Sequence, residues 1–292
     1  MPGPAPFRVR SGGHGFKVRA DADPPWVRWT LIGIALAFLF IALVVPVLVV
    51  FEAAFRDGAA AYWKAITEPD TTSAIELTLL TVAIAVPVNI AFGVAAAWAI
   101  TRFHFRGKRF LVSLIDLPFA VSPVIAGMIF VLLFGAQSWL GPYLSDQGIK
   151  IVFAVPAVVL ATTFVTVPFV ARELIPALEA RGPEQELAAL TLGATGWQAF
   201  WRVTLPNLRW ALFYGGVLCA ARAVGEFGAV SVVSGHIRGE TNTVPLHVEI
   251  LYNEYHYSAA FAVATLLIGV AVVTLVLKAV IEWRVARALE KD

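Results

Sequence analysis

Three charged side chains lie inside long apolar stretches of this sequence: Asp116, Arg222 and Glu226. A charge at the centre of a bilayer costs about 2.5 to 3.5 kcal/mol on insertion scales, so such residues face a bundle interior or an aqueous path. Arg222 and Glu226 stand one helical turn apart, where opposite charges meet on one face. Counted from Arg209, Arg222 lies about 20 Å into a hydrocarbon core of roughly 30 Å. Two roles stay open for the pair: a path-facing pair that shapes the field along a route, or a clasp between helices remote from any pore. Asp116 has neither Lys nor Arg in its own stretch and must find another helix, water or a proton. A hydrogen bond to a helix broken near Pro118 is favoured over a proton relay. Ser231 and Ser234 can offer hydroxyls to an oxyanion, although serines at close helix contacts are commoner. Gly225 and Gly228 permit close packing or local unwinding.

The elements that position these groups follow from composition. Of 292 residues, 59% are hydrophobic and 14% charged, against about half and about a quarter in a soluble domain, which excludes a water-soluble globule. The formal charge of +2 gives no argument for nucleic acid, and one cysteine excludes a disulfide framework or a cysteine metal site. The apolar residues fall in six blocks, 29–51, 77–101, 110–134, 151–171, 210–234 and 258–277, each long enough to cross a bilayer as a helix. Pro46, Pro87, Pro118, Pro123, Pro156 and Pro168 interrupt them, so the blocks belong to a bundle in which neighbours satisfy freed backbone groups. The first block is too long for a signal-peptide core and is read as a permanent span. The expected organisation is a cytoplasmic tail 1–28, a first transmembrane helix 29–51, a five-helix core 75–282 with an inner loop 172–209, and a tail 283–292. Arg56, Lys64, Lys150 and Arg238 fall in the outer connections and all other Lys and Arg outside the spans in the inner ones, which puts both ends in the cytoplasm. The outer segments 52–74 and 235–257 are each net acidic and repel anions within a Debye length.

The inner loop is patterned. Gly182-Pro183 with Glu184 and Glu186 predicts a helix start with proline in the first position and carboxylates on the positive dipole end. Gly193 is suited to a left-handed cap, and Thr195 with Gln198 has capping-box spacing for a second helix that should end before Pro206. Trp197, Phe200 and Trp201 then share one face, which by itself describes a helix lying on the membrane surface.

The stretch Leu187-Ala188-Ala189-Leu190-Thr191-Leu192-Gly193, followed after nine residues by Val203-Thr204-Leu205-Pro206, resembles the EAA signature of ABC importer permeases. Ala188, Ala189, Gly193, Leu205 and Pro206 match; Val203 replaces Ile, and Leu187 replaces the leading Glu, with Glu186 one position early. Ala223-Val224-Gly225-Glu226-Phe227-Gly228-Ala229 looks like an element of permeases for tetrahedral oxyanions, sulfate and molybdate. Residues 230–241 and Tyr252-Asn253-Glu254-Tyr255 look more like the W-type permease subunits of bacterial sulfate/thiosulfate importers.

The resemblance implies an all-α membrane protein with six transmembrane helices in the type I ABC importer permease (MetI-like) fold. It implies alternating-access import of sulfate and thiosulfate across the cell inner membrane, with molybdate or tungstate as the alternative cargo. The loop around Glu186, Leu187, Ala188, Ala189, Gly193, Ala194, Trp197, Leu205 and Pro206 would couple to an ATPase, while Arg222, Glu226, Ser231 and Ser234 would face the path or form an intramembrane pair. Implied partners are a paralogous permease subunit in a heterodimer, two ATP-binding subunits, a periplasmic sulfate-binding protein and membrane lipid, with no nucleic acid. No cofactor is expected in this subunit, because ATP and Mg would sit in the partner ATPase. The residues around Gly107-Lys108 lack a P-loop, and no protease or hydrolase motif occurs, so no catalytic residue is assigned. A metal is not expected: His247, Glu249, Glu254 and His256 match no common ligand spacing and read as a solvated or partner-binding loop. Cys219 reads as packing. An autonomous channel or secondary carrier would show a filter or internal repeats and would need no large inner loop.

Overall fold

A computed structural model describes residues 24–138 and 140–289, and every regular element in them is helical. The first apolar block becomes α1 (Pro25–Leu39), a π segment (Phe40–Val44) and α2 (Val45–Ala54). The remaining elements are α3 (Ala59–Thr67), α4 (Pro69–Arg102), α5 (Lys108–Ala120), α6 (Pro123–Phe134), α7 (Gly141–Asp146), α8 (Val155–Arg181), α9 (Glu184–Thr191) and α10 (Gly196–Ala199). A second π segment (Phe200–Thr204), α11 (Leu205–Val224), α12 (Gly228–Val233), α13 (Val244–Asn253) and α14 (Tyr257–Leu289) complete the chain. The chain divides into two units, Met1–Leu48 and Val49–Asp292. In the first, the described side chains are all at least partly exposed along a continuous apolar helix.

Several element limits differ from those expected. The first helix starts at Pro25 rather than 29, and residues 1–23 of the expected tail lie outside the described residues. The core begins with α4 at Pro69, and α14 continues through the expected tail to Leu289. The fourth block carries α8 ten residues past its last apolar position, to Arg181, so part of the expected loop is helix.

The six blocks are not six uninterrupted helices. Among the described residues, four helices are long and apolar enough to span a membrane: Trp26–Ala54, Pro69–Arg102, Val155–Arg181 and Tyr257–Arg284. Block 110–134 is a pair, α5 and α6, bent by 106°. Its cause is local: Pro123 disfavours the helical region for the residue before it, and Ser122 sits at ψ 134°. Block 210–234 breaks after Val224, where Gly225, Glu226 and Phe227 separate α11 from α12.

The centre of the second unit is where α4, α8 and α11 pack through Ala97, Val170, Leu174, Leu178, Leu208 and Cys219. Small residues set the distance. A Cβ on Gly93 would lie 2.7 Å from Val170 Cγ1, so α4 and α8 approach more closely than any larger residue allows. Buried Asn89 donates to Thr166 Oγ1 (2.7 Å) and to the Thr163 carbonyl (3.2 Å), a polar tie between the same two helices. At the other end, Val244 N–H in the first turn of α13 donates to Thr78 Oγ1 of α4 (2.9 Å).

Candidate functional site

The loop after α8 is a fixed unit. Pro183 is the N-cap of α9 rather than its first helical residue, while Glu184 and Glu186 occupy the first turn as the dipole favours. Gly193 takes φ +89°, a conformation that side-chain-bearing residues rarely adopt, and Ala194 N–H then donates back to the Ala189 carbonyl (3.0 Å). The capping box forms: Gln198 N–H donates to Thr195 Oγ1 (3.2 Å), and Thr195 N–H donates to Gln198 Oε1 (2.9 Å).

The second helix does not end before Pro206. It runs through the π segment Phe200–Thr204 into α11, with Leu205 N–H donating to the Phe200 carbonyl. A proline inside an α-helix lacks one donor and crowds the carbonyl four residues back; the wider π turn absorbs both defects. The expected aromatic face also divides. Trp197 and Trp201 remain exposed, whereas Phe200 turns inward against Trp98, ring centroids 4.9 Å apart.

Glu186 is the pin of this unit. Its Oε2 receives Arg102 Nε at 2.7 Å and its Oε1 accepts from Thr204 Oγ1 at 2.8 Å, while Arg102 Nη2 also donates to the Gly182 carbonyl at 2.7 Å. One carboxylate thus joins the end of α4, the start of α9 and the π turn. Leu187, at the position where the resembling signature has Glu, faces out, 54% exposed, together with Leu190 and Leu192. A carboxylate facing inward and an apolar surface facing outward therefore coexist on this short helix.

Glu226 lies beyond the end of α11, in the break. Its Oε2 is 2.6 Å from Arg222 Nη2, and its Oε1 accepts from Ala229 N–H (2.9 Å) in the first turn of α12. The carboxylate is 1% exposed, so it joins both halves of the broken span from inside. Ser231 donates to the Gly228 carbonyl (2.9 Å), and buried Ser234 accepts from His236 N–H (3.2 Å). The two breaks meet. A Cβ on Gly228 would lie 3.0 Å from Pro123, and one on Gly127 would lie 2.6 Å from the Ala229 carbonyl, so α6 and α12 pack backbone to backbone.

Asp116 finds its partner on another helix: Arg172 Nε is 2.8 Å from its Oδ1. The Arg172 guanidinium also lies over the Phe119 ring, 4.6 Å from the centroid. Sequence reasoning missed Arg172 because it ends an apolar block and reads as a membrane boundary. The signal was present in Leu174 and Leu178, which continue the apolar helical period past it and are fully buried.

At the other end of the unit, a cavity of about 730 Å³ is lined by Arg56, Lys64, Asp70, Arg238, His247 and Glu254 among others. Arg238 bridges Asp70 and Glu254, and its guanidinium holds the Glu254 carboxyl below the usual carboxylate range. His247 Nε2 meets Thr71 Oγ1 at 3.0 Å, and burial lowers its pKa below the ordinary imidazole value. Glu249 pairs instead with His236 (3.6 Å), and His256 is 4.0 Å from Glu254, so these residues disperse onto separate partners. Among the described residues no group of three or more His, Cys, Asp or Glu is arranged to hold a metal.

Apolar spans, two interlocked breaks and a polar-pinned loop describe a helical bundle suited to a membrane. Residues 89–287 match the family described as "Binding-protein-dependent transport system inner membrane component", and the chain belongs to that family. The sulfate transport system permease protein CysW of Escherichia coli K12 is 49% identical over 267 residues, covering 91% of this chain and 92% of the relative. CysW of Synechococcus elongatus is 52% identical over 257 residues, covering 88% and 90%. The permease protein CysT of Escherichia coli K12 is 36% identical over 244 residues, covering 84% and 88%. A chain of the bacterial alginate ABC transporter, solved with its pentasaccharide-bound periplasmic protein, shares the fold at TM-score 0.73 and 16% identity, covering 86% of this chain and 92% of its own.

Proposed function

We propose that this chain is the permease subunit of an ATP-driven sulfate importer of the inner membrane, with thiosulfate as a second cargo. The observation that carries the reading is its identity of about half, over about nine tenths of its length, to permeases described as belonging to sulfate transport systems. The molybdate or tungstate alternative gains nothing from these relatives. The similarity to CysT at 36% identity supports a paralogous second permease as the partner across the path.

The chain itself carries no nucleotide site. Its outward-facing Leu187, Leu190, Leu192 and Trp197 form an apolar surface suited to a groove on a separate ATP-binding subunit, two of which, with their ATP and Mg, complete the complex. An ATP-driven change in that groove shifts the permease between inward-open and outward-open states only insofar as it grips the loop differently in each. Glu186 and Arg102 transmit that grip to α4, and the π segment transmits it to α11. The basic inner connections support cytoplasmic ends. The acidic outer connections disfavour capture of a free dianion, which supports delivery by a periplasmic sulfate-binding protein.

The test is uptake of sulfate-35 in a strain lacking its own sulfate permeases, with the chain supplied alongside its permease and ATPase partners. ATP-dependent uptake competed by thiosulfate and indifferent to molybdate is expected. Uptake that persists without any ATPase subunit, or that molybdate competes away while thiosulfate does not, overturns the reading.

A further inference from the structure

The most enclosed helix of the bundle, α8, exposes a cation near the end of its membrane span. Arg172 follows Val155 by 17 residues, about 26 Å along the helix axis, which brings it near one end of a hydrocarbon core of roughly 30 Å; its chain neighbours are Ala171, 0% exposed, and the half-buried Glu173. Yet its own side chain is 55% exposed and that of Asp116 is 38% exposed. Lipid does not tolerate such a pair, since a charge in hydrocarbon turns to a bundle interior or to water.

Its hydrogen bonding is also incomplete. A guanidinium carries five N–H donors. Arg102, at the loop, uses Nε, Nη1 and Nη2 on Glu186, Leu178 and Gly182. Arg172 places only Nε, on Asp116, and leaves the forked Nη face open beside Phe119. Open planar donors on a fixed cation match an oxyanion, which accepts two parallel N–H bonds. A lone cation would hold a dianion too well, because conduction needs a site weak enough to leave. Asp116 supplies the weakening, as a carboxylate that competes for the same guanidinium.

We propose that Arg172 and Asp116 form an exchange station on the translocation path, where the passing oxyanion takes Asp116's place on the guanidinium and the carboxylate then displaces it. Phe119 keeps the guanidinium plane turned to the path during the exchange. This inference rests on the importer reading and adds to it the residues that touch the cargo. No covalent bond changes, and the pair returns to its starting state after each passage.

The experiment uses the complete complex. In a Cys219→Ser background that keeps Arg172, the thiol of Phe119→Cys should react with a membrane-impermeant anionic thiosulfonate, and sulfate held on the neighbouring guanidinium should slow that reaction about threefold or more. An inert thiol, or one whose rate ignores sulfate, overturns the station. Kinetics give a second readout. Arg172→Gln should lower kcat/KM for sulfate about tenfold or more, Arg172→Lys should recover only part of it, and Asp116→Asn should lower KM and kcat together as release slows. If the neutral double variant Asp116→Asn with Arg172→Gln transports like the parent, the pair is a structural clasp and the proposal fails. Absence of sulfate uptake by the unaltered complex would overturn the importer reading, whereas normal uptake by the unaltered complex with an unreactive thiol at 119 overturns the station alone.

Discussion

Arg222–Glu226 and Arg172–Asp116 are both arginine–carboxylate pairs within the helical bundle, and they are built for opposite ends. In the first, the carboxylate is 1% exposed, meets Arg222 as an ion contact at 2.6 Å and accepts from the Ala229 amide across a break in its own span. In the second, both partners are open, they come from different helices, and most guanidinium donors remain free. A buried carboxylate that also caps the next helix holds backbone in place, and a carboxylate exposed together with its arginine can exchange partners. The presence of a charge in an apolar block is therefore a poor guide to role, and the exposure of the carboxylate is a better one.

The comparison breaks most readily at Glu226. Glu226→Ala leaves Arg222 without a partner and the first turn of α12 uncapped, a loss of about 3 kcal/mol. The apparent Tm of the purified complex should fall markedly, while Asp116→Ala should barely move it. Equal effects of the two variants would erase the distinction.

Next in size is the contact between the breaks. Gly127→Val places atoms against the Ala229 carbonyl, and overpacking of this kind costs about 1–3 kcal/mol. Separation of α6 from α12 should appear as faster proteolysis near Phe227, and unchanged cleavage would show that the breaks do not depend on each other.

The loop gives a third test. Gly193→Val cannot hold φ +89°, and capture of the ATPase subunit should fall by about tenfold or more for a loss exceeding about 1.4 kcal/mol. Glu186→Gln should keep capture but lower uptake per ATP hydrolysed, because it weakens only the tie to Arg102. Loss of capture in both variants would show that the pin shapes the docking surface itself.

The smallest effect is at the cavity around His247. Burial depresses the His247 pKa against the opposing pull of Asp70, Glu68 and Glu254, with Arg238 assisting, so the fold prefers the neutral ring. That contribution is complete above the ordinary value of 6.5 and is lost as pH falls through it toward the folded value. Glu254 adds to the trend, since its depressed carboxyl stabilises at neutral pH and stops doing so only in more acid solution. A lower Tm at pH 5.5 than at 7.5, with a smaller difference in His247→Gln, is expected from thermal denaturation.

The apolar blocks made the helical bundle legible, as the Thr195 and Gln198 spacing did the loop. The breaks were not, because proline does not decide them alone. Pro87 and Pro168 lie inside unbroken helices, whereas Pro123 opens a new one after a break. What differs is tertiary: Gly127 and Gly228 let the bent segment lie against a second broken one, so each irregular backbone has a protein neighbour. The Arg172–Asp116 pair was hidden for a related reason, since its partners are 56 residues apart and no local period joins them. The role of Glu186 was half visible, as a carboxylate one place early, while its target at Arg102 lay on another helix.

The π segment before α11 also has a mechanical meaning. Because it replaces a chain break, α10 and α11 form one rod, whose α11 part alone has 20 residues and so runs about 30 Å. A displacement applied at α10 therefore arrives, undiminished by any hinge, at Gly225, where the backbone first yields. The second helix of the loop thus holds the handle of a lever, and the interlocked breaks hold its working tip.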